Sequence, residues 1–207
     1  MTAPIAPRTR LWPAGTGWRD WVGLAARLLL GGVLLVAGAL KVGNPGESVL
    51  AVRAYRLLPY ELTDVVGYAL PFGEIVLGLT LITGTFTRVS GALGALLIVA
   101  FTIAIASAWA RGLTLDCGCF GGGGTISAEE AFAAYPWEIA RDIGLAACGV
   151  WLAVRPRTPW SVDSWRAARA AASAQLLDLD DLDDDELDAD DDPNTPADDL
   201  NARTRGA

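Results

Sequence analysis

The sequence contains no histidine and only three cysteines among its 207 residues. The absence of histidine excludes catalytic triads that depend on an imidazole, histidine-ligated haem and the commonest zinc sites. Three cysteines are too few for a scaffold held together by disulfides. Redox chemistry and simple packing are the roles left for them.

Charge is also scarce over most of the chain. Residues 1–177 hold 14 Lys and Arg against 11 Asp and Glu, whereas residues 178–207 hold 2 against 13. The net charge of −8 is therefore a property of the last 30 residues or so, whose composition predicts a disordered acidic tail. We expect membrane lipid to surround the body of the chain, and we expect no nucleic-acid partner.

Long apolar runs fill the region that lacks charge. The mean hydropathy is +0.35 with 52% hydrophobic residues, and about 20 helical residues cross the roughly 30 Å hydrocarbon core of a bilayer. The runs predict an all-α integral membrane protein, a four-transmembrane-helix bundle over residues 21–155. Its spans are predicted at residues 21–40, 65–83, 89–110 and 137–154, the last being the weakest because it begins with charged side chains.

The segments that flank the spans are polar. Residues 1–20 are a basic leader, residues 48–58 suit a short interfacial helix, and residues 156–177 form a polar surface segment. A competing interpretation makes the first run a signal peptide, because Ala37-Gly38-Ala39 resembles a cleavage site. The run is long for a signal core, and further spans follow it.

Positive charges at the ends of the spans predict the orientation in the cell membrane. Because the leader is basic and the first helix often dominates, we expect both termini in the cytoplasm and residues 112–136 outside. The difference in positive charges is small, six on the side of the termini against five on the other side. The termini side has Arg8, Arg10, Arg19, Arg88, Arg155 and Arg157, and the other side has Lys41, Arg53, Arg56, Arg111 and Arg141.

Two ionisable residues lie inside predicted spans. Glu74 follows Pro71 near the centre of the second span, where a carboxylate costs several kcal/mol unless it is protonated or paired. It is either a structural acid facing the bundle interior or a proton or quinone-linked site. Arg27 either extends to the inner membrane surface or is a charge partner for an acid in the bundle.

The segment with obvious chemistry is Cys117-Gly118-Cys119. Two cysteines one residue apart can close a very small, strained disulfide ring, and such disulfides are labile and oxidising. Half of a metal site and a pair of inert thiols are the alternatives, and we expect no metal because the chain lacks a second pair. Cys148, on the fourth span, is either a small buried apolar residue or a redox partner of the pair.

Three sequence features in order resemble the MauE branch of the DoxX-like membrane proteins, over about residues 20–155. They are Ala54-Tyr55 to Leu58-Pro59, Pro71-x-x-Glu74, and Asp116-Cys117-Gly118-Cys119-Phe120-Gly121. The resemblance implies a four-helix bundle related in shape to the quinone-coupled thiol oxidases. It also implies that the protein supports redox maturation of exported proteins. This chain differs by its long acidic tail and by the lack of two Cys-x-x-Cys-type pairs.

The leading hypothesis is a membrane thiol–disulfide redox protein, a candidate oxidoreductase. Cys117 and Cys119 would exchange electrons with a thioredoxin-like partner outside the membrane, and a quinone or a partner protein would accept them near Glu74. One alternative is a non-catalytic assembly or scaffold subunit with the acidic tail as a docking arm. The other is a proton-coupled small-solute carrier that uses Glu74, and it ranks last because no broken-helix pair or inverted repeat is evident.

Overall fold

The structure, a computed structural model, describes residues 17–116, 118, 125–156 and 158–175. The start of the basic leader, Cys117, Cys119 and the acidic tail lie outside the described residues. The chain divides into two compact units, of which one covers Gly15–Ser164. The described part of the other unit, residues 165–175, is helical.

The described residues are helical and contain no strand, apart from one isolated β-bridge. The main helices are α1 (Trp18–Val42), α2 (Pro45–Ala54), α3 (Tyr60–Thr83), α4 (Thr87–Ala110) and α5 (Ala128–Val154). Within the described ranges, α1, α3 and α4 are long and apolar enough to cross a membrane. This confirms an all-helical membrane protein, with three candidate spans among the described residues where the sequence predicts four.

The fifth helix begins earlier than the sequence predicts for the last span, at Ala128 instead of residue 137. Ser127 caps it: the Ser127 hydroxyl accepts a hydrogen bond from the Glu130 backbone N–H at 3.2 Å, and the Glu130 carboxylate accepts one from the Ser127 backbone. This reciprocal cap starts the helix before the apolar run does. Pro136 then lies inside α5 and does not end it.

Glycines let the helices pack in two close pairs, α1 with α3 and α4 with α5. A Cβ atom on Gly38 of α1 would lie 2.7 Å from the Pro71 carbonyl oxygen of α3, and one on Gly149 of α5 would lie 2.7 Å from the Gly91 carbonyl oxygen of α4. Small residues allow such backbone approach in membranes. The apolar core between the pairs comprises Ala26, Leu30, Leu34, Leu81, Ile98, Leu145 and Leu152.

The two ends of the bundle are built differently. At one end, the Asp163 carboxylate accepts hydrogen bonds from the backbone N–H groups of Phe86 and Thr87, at 3.0 and 2.8 Å, and so caps α4. The Trp21 ring meets the Trp160 ring edge-on at the same end, with 5.9 Å between centroids. The start of α1 and the chain after α5 therefore share one end, and α2 and the α4–α5 connection lie at the other.

Candidate functional site

A buried ion pair joins α1 to α3. Lys41 Nζ lies 2.6 Å from Glu74 Oε1, and the two side chains are 8% and 0% exposed. Lys41 belongs to the last turn of α1, where a cation is favoured by the helix dipole, and its ammonium group lies 5.3 Å from the centre of the Phe101 ring. Burial of both charges is tolerable because they compensate each other inside the bundle.

A cavity of about 320 Å³ lies beside Lys41, and we call it the α2–α4 cavity. Its walls come from the end of α1, from α2 and the α2–α3 connection, from α3 and α4, and from one residue of the α4–α5 connection. The lining is almost wholly apolar, and its size is within the range of small-ligand sites. The lining residues are Lys41, Ser48, Ala51, Val52, Tyr55, Leu57, Leu58, Val66, Leu70, Leu97, Ala100, Phe101, Ala104, Ile105 and Gly118.

Gly118 connects this cavity to the cysteine motif. Its backbone is in the left-handed region, with φ of 65°, and it is buried against the cavity. A glycine is favoured there because a side chain would strain this conformation. Cys117 and Cys119 lie outside the described residues, yet each is one peptide bond from a residue that lines the cavity.

Tyr135 of α5 holds the base of the segment that carries the cysteines. The Leu115 backbone N–H donates to the Tyr135 hydroxyl at 2.9 Å, and the Tyr135 hydroxyl lies 2.8 Å from the Leu113 carbonyl oxygen, to which it donates. Leu115 also forms the isolated antiparallel bridge with Thr125. Leu115 and Thr125, which flank residues 116–124, are thereby joined to each other, and Leu115 is joined to α5.

A second group of charges lies on α5. Arg141 Nη2 donates a hydrogen bond to Asp142 Oδ1 at 2.8 Å, and Asp142 is 1% exposed. A small void, which we call the Glu74–Asp142 void, lies between the helices and is lined by both acids together with Arg141 and apolar side chains. Among the described atoms, Glu74 Oε2 and Asp142 Oδ2 are buried without a hydrogen-bond partner.

Arg27 is placed away from these groups. It is 2% exposed and its guanidinium donates to Thr158 Oγ1 at 2.7 Å and to the Trp160 carbonyl oxygen at 3.1 Å. The structure therefore does not bring Arg27 and Glu74 together; the charge partner of Glu74 is Lys41. Arg27 instead connects α1 to residues 158 and 160 of the chain after α5.

Cys148 packs against the apolar core between the helix pairs and is half-buried. This placement matches a small apolar packing role. Over the ranges that the structure describes, no cluster of three or more His, Cys, Asp or Glu side chains is arranged to hold a metal ion.

Sequence reasoning missed Lys41 and Tyr135 as site residues. The charge pattern marks Lys41 only as a cation that flanks the first span, although an acid buried in the next span needs a cation near the same depth. For Tyr135 the sequence offers no comparable signal, because its hydroxyl bonds to backbone groups about 20 residues away.

The family described as methylamine utilisation protein MauE matches residues 19–155, more than half of the chain. The methylamine utilization protein MauE of Methylophilus methylotrophus is 28% identical over 157 residues, which cover 75% of this chain and 80% of that protein. No solved structure matches. The matched region contains α1 to α5, the buried ion pair, the cavity and the cysteine motif, so the chain belongs to the MauE family.

Proposed function

We propose that this chain is a membrane-embedded thiol–disulfide redox protein that supports disulfide formation in exported proteins. The observation that carries the proposal is that Gly118, the residue between Cys117 and Cys119, lines an apolar cavity that also reaches Lys41. A reactive cysteine pair beside a ligand-sized cavity is the arrangement that electron transfer from thiols to a small membrane-soluble acceptor requires.

In the first half of the reaction, the Cys117–Cys119 disulfide oxidises a dithiol partner of thioredoxin-like type. A partner thiolate attacks one sulfur and forms a mixed disulfide, and the second partner thiol then releases it. The partner leaves as a disulfide, and Cys117 and Cys119 are left as two thiols that hold the two electrons. Gly118, which joins the two cysteines in the chain, lines the α2–α4 cavity.

In the second half, the residues that line the cavity would hold a quinone head group, which would supply the electron acceptor. The residues present fit such a group: apolar side chains such as Leu70 and Ile105 enclose a ring, and Lys41 Nζ offers a hydrogen-bond donor to a carbonyl oxygen. A bound quinone would accept two electrons and two protons from solution and thiols. Lys41 positions that acceptor, and Glu74 holds Lys41 in place through the ion pair.

The fourth span of the proposed membrane domain is α5. Its 27 residues extend about 40 Å at 1.5 Å per residue, enough to cross the hydrocarbon core. Its buried acids, Glu138 and Asp142, are 8% and 1% exposed and so face protein rather than lipid. This supports a span even though the charges lower its hydropathy.

Burial also supports placing both termini in the cytoplasm. Lys41 is buried inside the bundle, and Arg141 bonds to Asp142 within α5, so neither is a loop charge. Without these two, the loop charges become six on the termini side and three on the other, which strengthens the positive-inside argument. The cysteine motif would then lie at the extracytoplasmic end, where disulfides persist.

The test uses the full-length protein in lipid nanodiscs, a reduced thioredoxin-like protein as electron donor and a short-chain benzoquinone as acceptor. Quinone reduction followed by absorbance should be lost in Cys117→Ser and in Cys119→Ser. The matched control is Cys148→Ser, which should retain the wild-type rate because Cys148 packs in the apolar core. Equal rates in the control and in a double Cys117→Ser/Cys119→Ser variant would refute the proposal.

A further inference from the structure

The Glu74–Asp142 void has a composition unlike the rest of the bundle interior. Apolar side chains, among them Val33, Ala37 and Leu145, form most of its wall. Two carboxylates from different helices complete it, Glu74 from α3 and Asp142 from α5. Of the atoms that the structure describes, one oxygen of each carboxylate is buried and lacks a hydrogen-bond partner.

Each carboxylate is held by its other oxygen. Glu74 Oε1 accepts from Lys41 Nζ at 2.6 Å, and Asp142 Oδ1 accepts from Arg141 at 2.8 and 3.0 Å. The two acids are therefore fixed, and their second oxygens both need a donor. Buried polar atoms in native proteins nearly always have one, from protein or from an ordered water.

The volume and the number of acceptors match one water molecule. The void measures about 10 Å³, close to the space that a single buried water occupies. A water has two O–H groups, one for each unsatisfied carboxylate oxygen. An apolar ligand would leave both oxygens unsatisfied.

We infer that this void binds one water that joins Glu74 Oε2 to Asp142 Oδ2, and that the set Lys41–Glu74–water–Asp142 conducts protons to the α2–α4 cavity. The inference rests on the proposed function, because only a ligand that gains protons in the cavity needs such a path. Lys41 Nζ gives a proton towards the cavity and regains one through Glu74, the water and Asp142. Solvent water is the eventual source, so no proton is created or lost.

The titratable groups around the void come from three helices. Lys41 of α1 and Glu74 of α3 form one pair, and Arg141 and Asp142 of α5 form the other. The side chains that α4 contributes are those of Ile98 and Phe101, neither of which titrates. Glu138 is buried one turn before Asp142 on α5 but is not among the residues that line the void.

The first measurement requires no thiol chemistry and uses infrared difference spectra of the ligand-free protein in nanodiscs during a pH titration. If one water couples the acids, Asp142→Asn should shift the Glu74 carboxyl band, Glu74→Gln should shift that of Asp142, and H₂¹⁸O should shift a bound-water O–H band. Glu138→Gln is the matched control and should shift neither. Independent Glu74 and Asp142 bands, or the lack of a water band, would overturn the inference.

The second measurement is quinone reduction under the conditions that test the proposed function. Asp142→Asn should slow it about a hundredfold, the scale of a lost acid–base group, without changing thiol labelling of Cys117 and Cys119. An unslowed Asp142→Asn variant would overturn the proton-transfer role. If Asp142→Asn does not fold, Ala37→Val fills the void while retaining every charge, and it should reproduce both effects.

Failure of the proposed function gives a different result. In that case the wild-type protein does not reduce quinone at all, and the infrared coupling is unaffected. Coupled bands without any quinone reduction would therefore refute the redox proposal and with it the transfer of protons to a cavity ligand. The rate of quinone reduction by the wild-type protein therefore distinguishes failure of the proposed function from failure of the water-mediated coupling.

Discussion

At the scale of single residues, the Lys41–Glu74 pair dominates the bundle interior. Both charges have left water, and each is tolerated only because the other lies 2.6 Å away. Breaking a buried pair costs about 3–5 kcal/mol, because an uncompensated charge stays behind, whereas replacing both partners by apolar groups is often nearly neutral. Comparing the stability of the double variant with that of a single variant therefore shows how much of the loss comes from an uncompensated charge.

We expect Lys41→Met to lower the free energy of unfolding by about 3–5 kcal/mol, and Lys41→Met/Glu74→Leu to recover most of that loss. Denaturation of the detergent-solubilised protein, followed by circular dichroism, measures both. The control is Arg53→Met, since Arg53 and Asp64 form a partly exposed pair worth about 0–1 kcal/mol. A double variant as unstable as Lys41→Met would contradict this account of the pair.

Arg27 gives a contrasting prediction. Because its guanidinium bonds to Thr158 and Trp160 and not to Glu74, Arg27→Gln should lower stability by about 1–3 kcal/mol, the cost of unsatisfied buried partners. Its effect on quinone reduction at saturating donor should be small. Measuring stability and the rate of quinone reduction on one preparation separates a structural role from a role in the site. A loss of activity without a loss of stability would make Arg27 part of the site.

At the scale of helices, apolar length was sufficient to predict α1, α3 and α4, because each is a run long enough to cross a bilayer. It was insufficient for α5, whose first turns are polar and whose start is set by the Ser127–Glu130 cap. The acid at Glu74 could be found from the sequence, since a carboxylate in an apolar run is conspicuous. The need for a cation is also evident from the sequence, but it does not single out Lys41 over Arg27, because the rotation of α1 against α3 depends on where glycines let the backbones meet.

Gly38 is one of the glycines at which α1 and α3 approach closely, together with Gly31 and Gly78. A side chain on Gly38 would overlap the Pro71 carbonyl oxygen at 2.7 Å and approach the Glu74 Cβ atom at 3.0 Å. We expect Gly38→Leu to cost about 1–3 kcal/mol or more in stability, as overpacking does, and to disturb the Lys41–Glu74 pair. Thermal unfolding in detergent measures the first effect.

Gly32 is the matched control on the same helix. A Cβ atom there would meet no described atom within 4 Å, so Gly32→Leu should leave stability unchanged or raise it. If both leucine variants behave alike, helix propensity rather than close packing determines their effect, and the packing explanation fails.

At the scale of the whole molecule, the two ends of the bundle should face opposite sides of the membrane. We expect a cysteine in place of Glu129, in the first turn of α5, to react with a membrane-impermeant maleimide added outside intact spheroplasts. A cysteine at Ser164 should react only after lysis. Both positions are exposed, and the background would carry serine in place of the three native cysteines.

Equal labelling of Glu129→Cys and Ser164→Cys from one side would show that α5 does not cross the membrane. Labelling of Ser164→Cys alone in intact spheroplasts would reverse the orientation. The experiment therefore tests the fourth span and the sidedness of the cysteine motif together.

Tyr135 and the Leu115–Thr125 bridge restrain the α4–α5 connection. This restraint has a kinetic consequence. Adjacent Cα atoms are about 3.8 Å apart, so each cysteine beside Gly118 is tethered within a few ångströms of the cavity lining. Such tethering makes a reaction intramolecular, with an effective concentration in about the millimolar range for short links. In the proposed reaction, electron transfer from the cysteine pair to an acceptor in the cavity should therefore be first order and insensitive to dilution. Only the encounter with the external dithiol should depend on concentration.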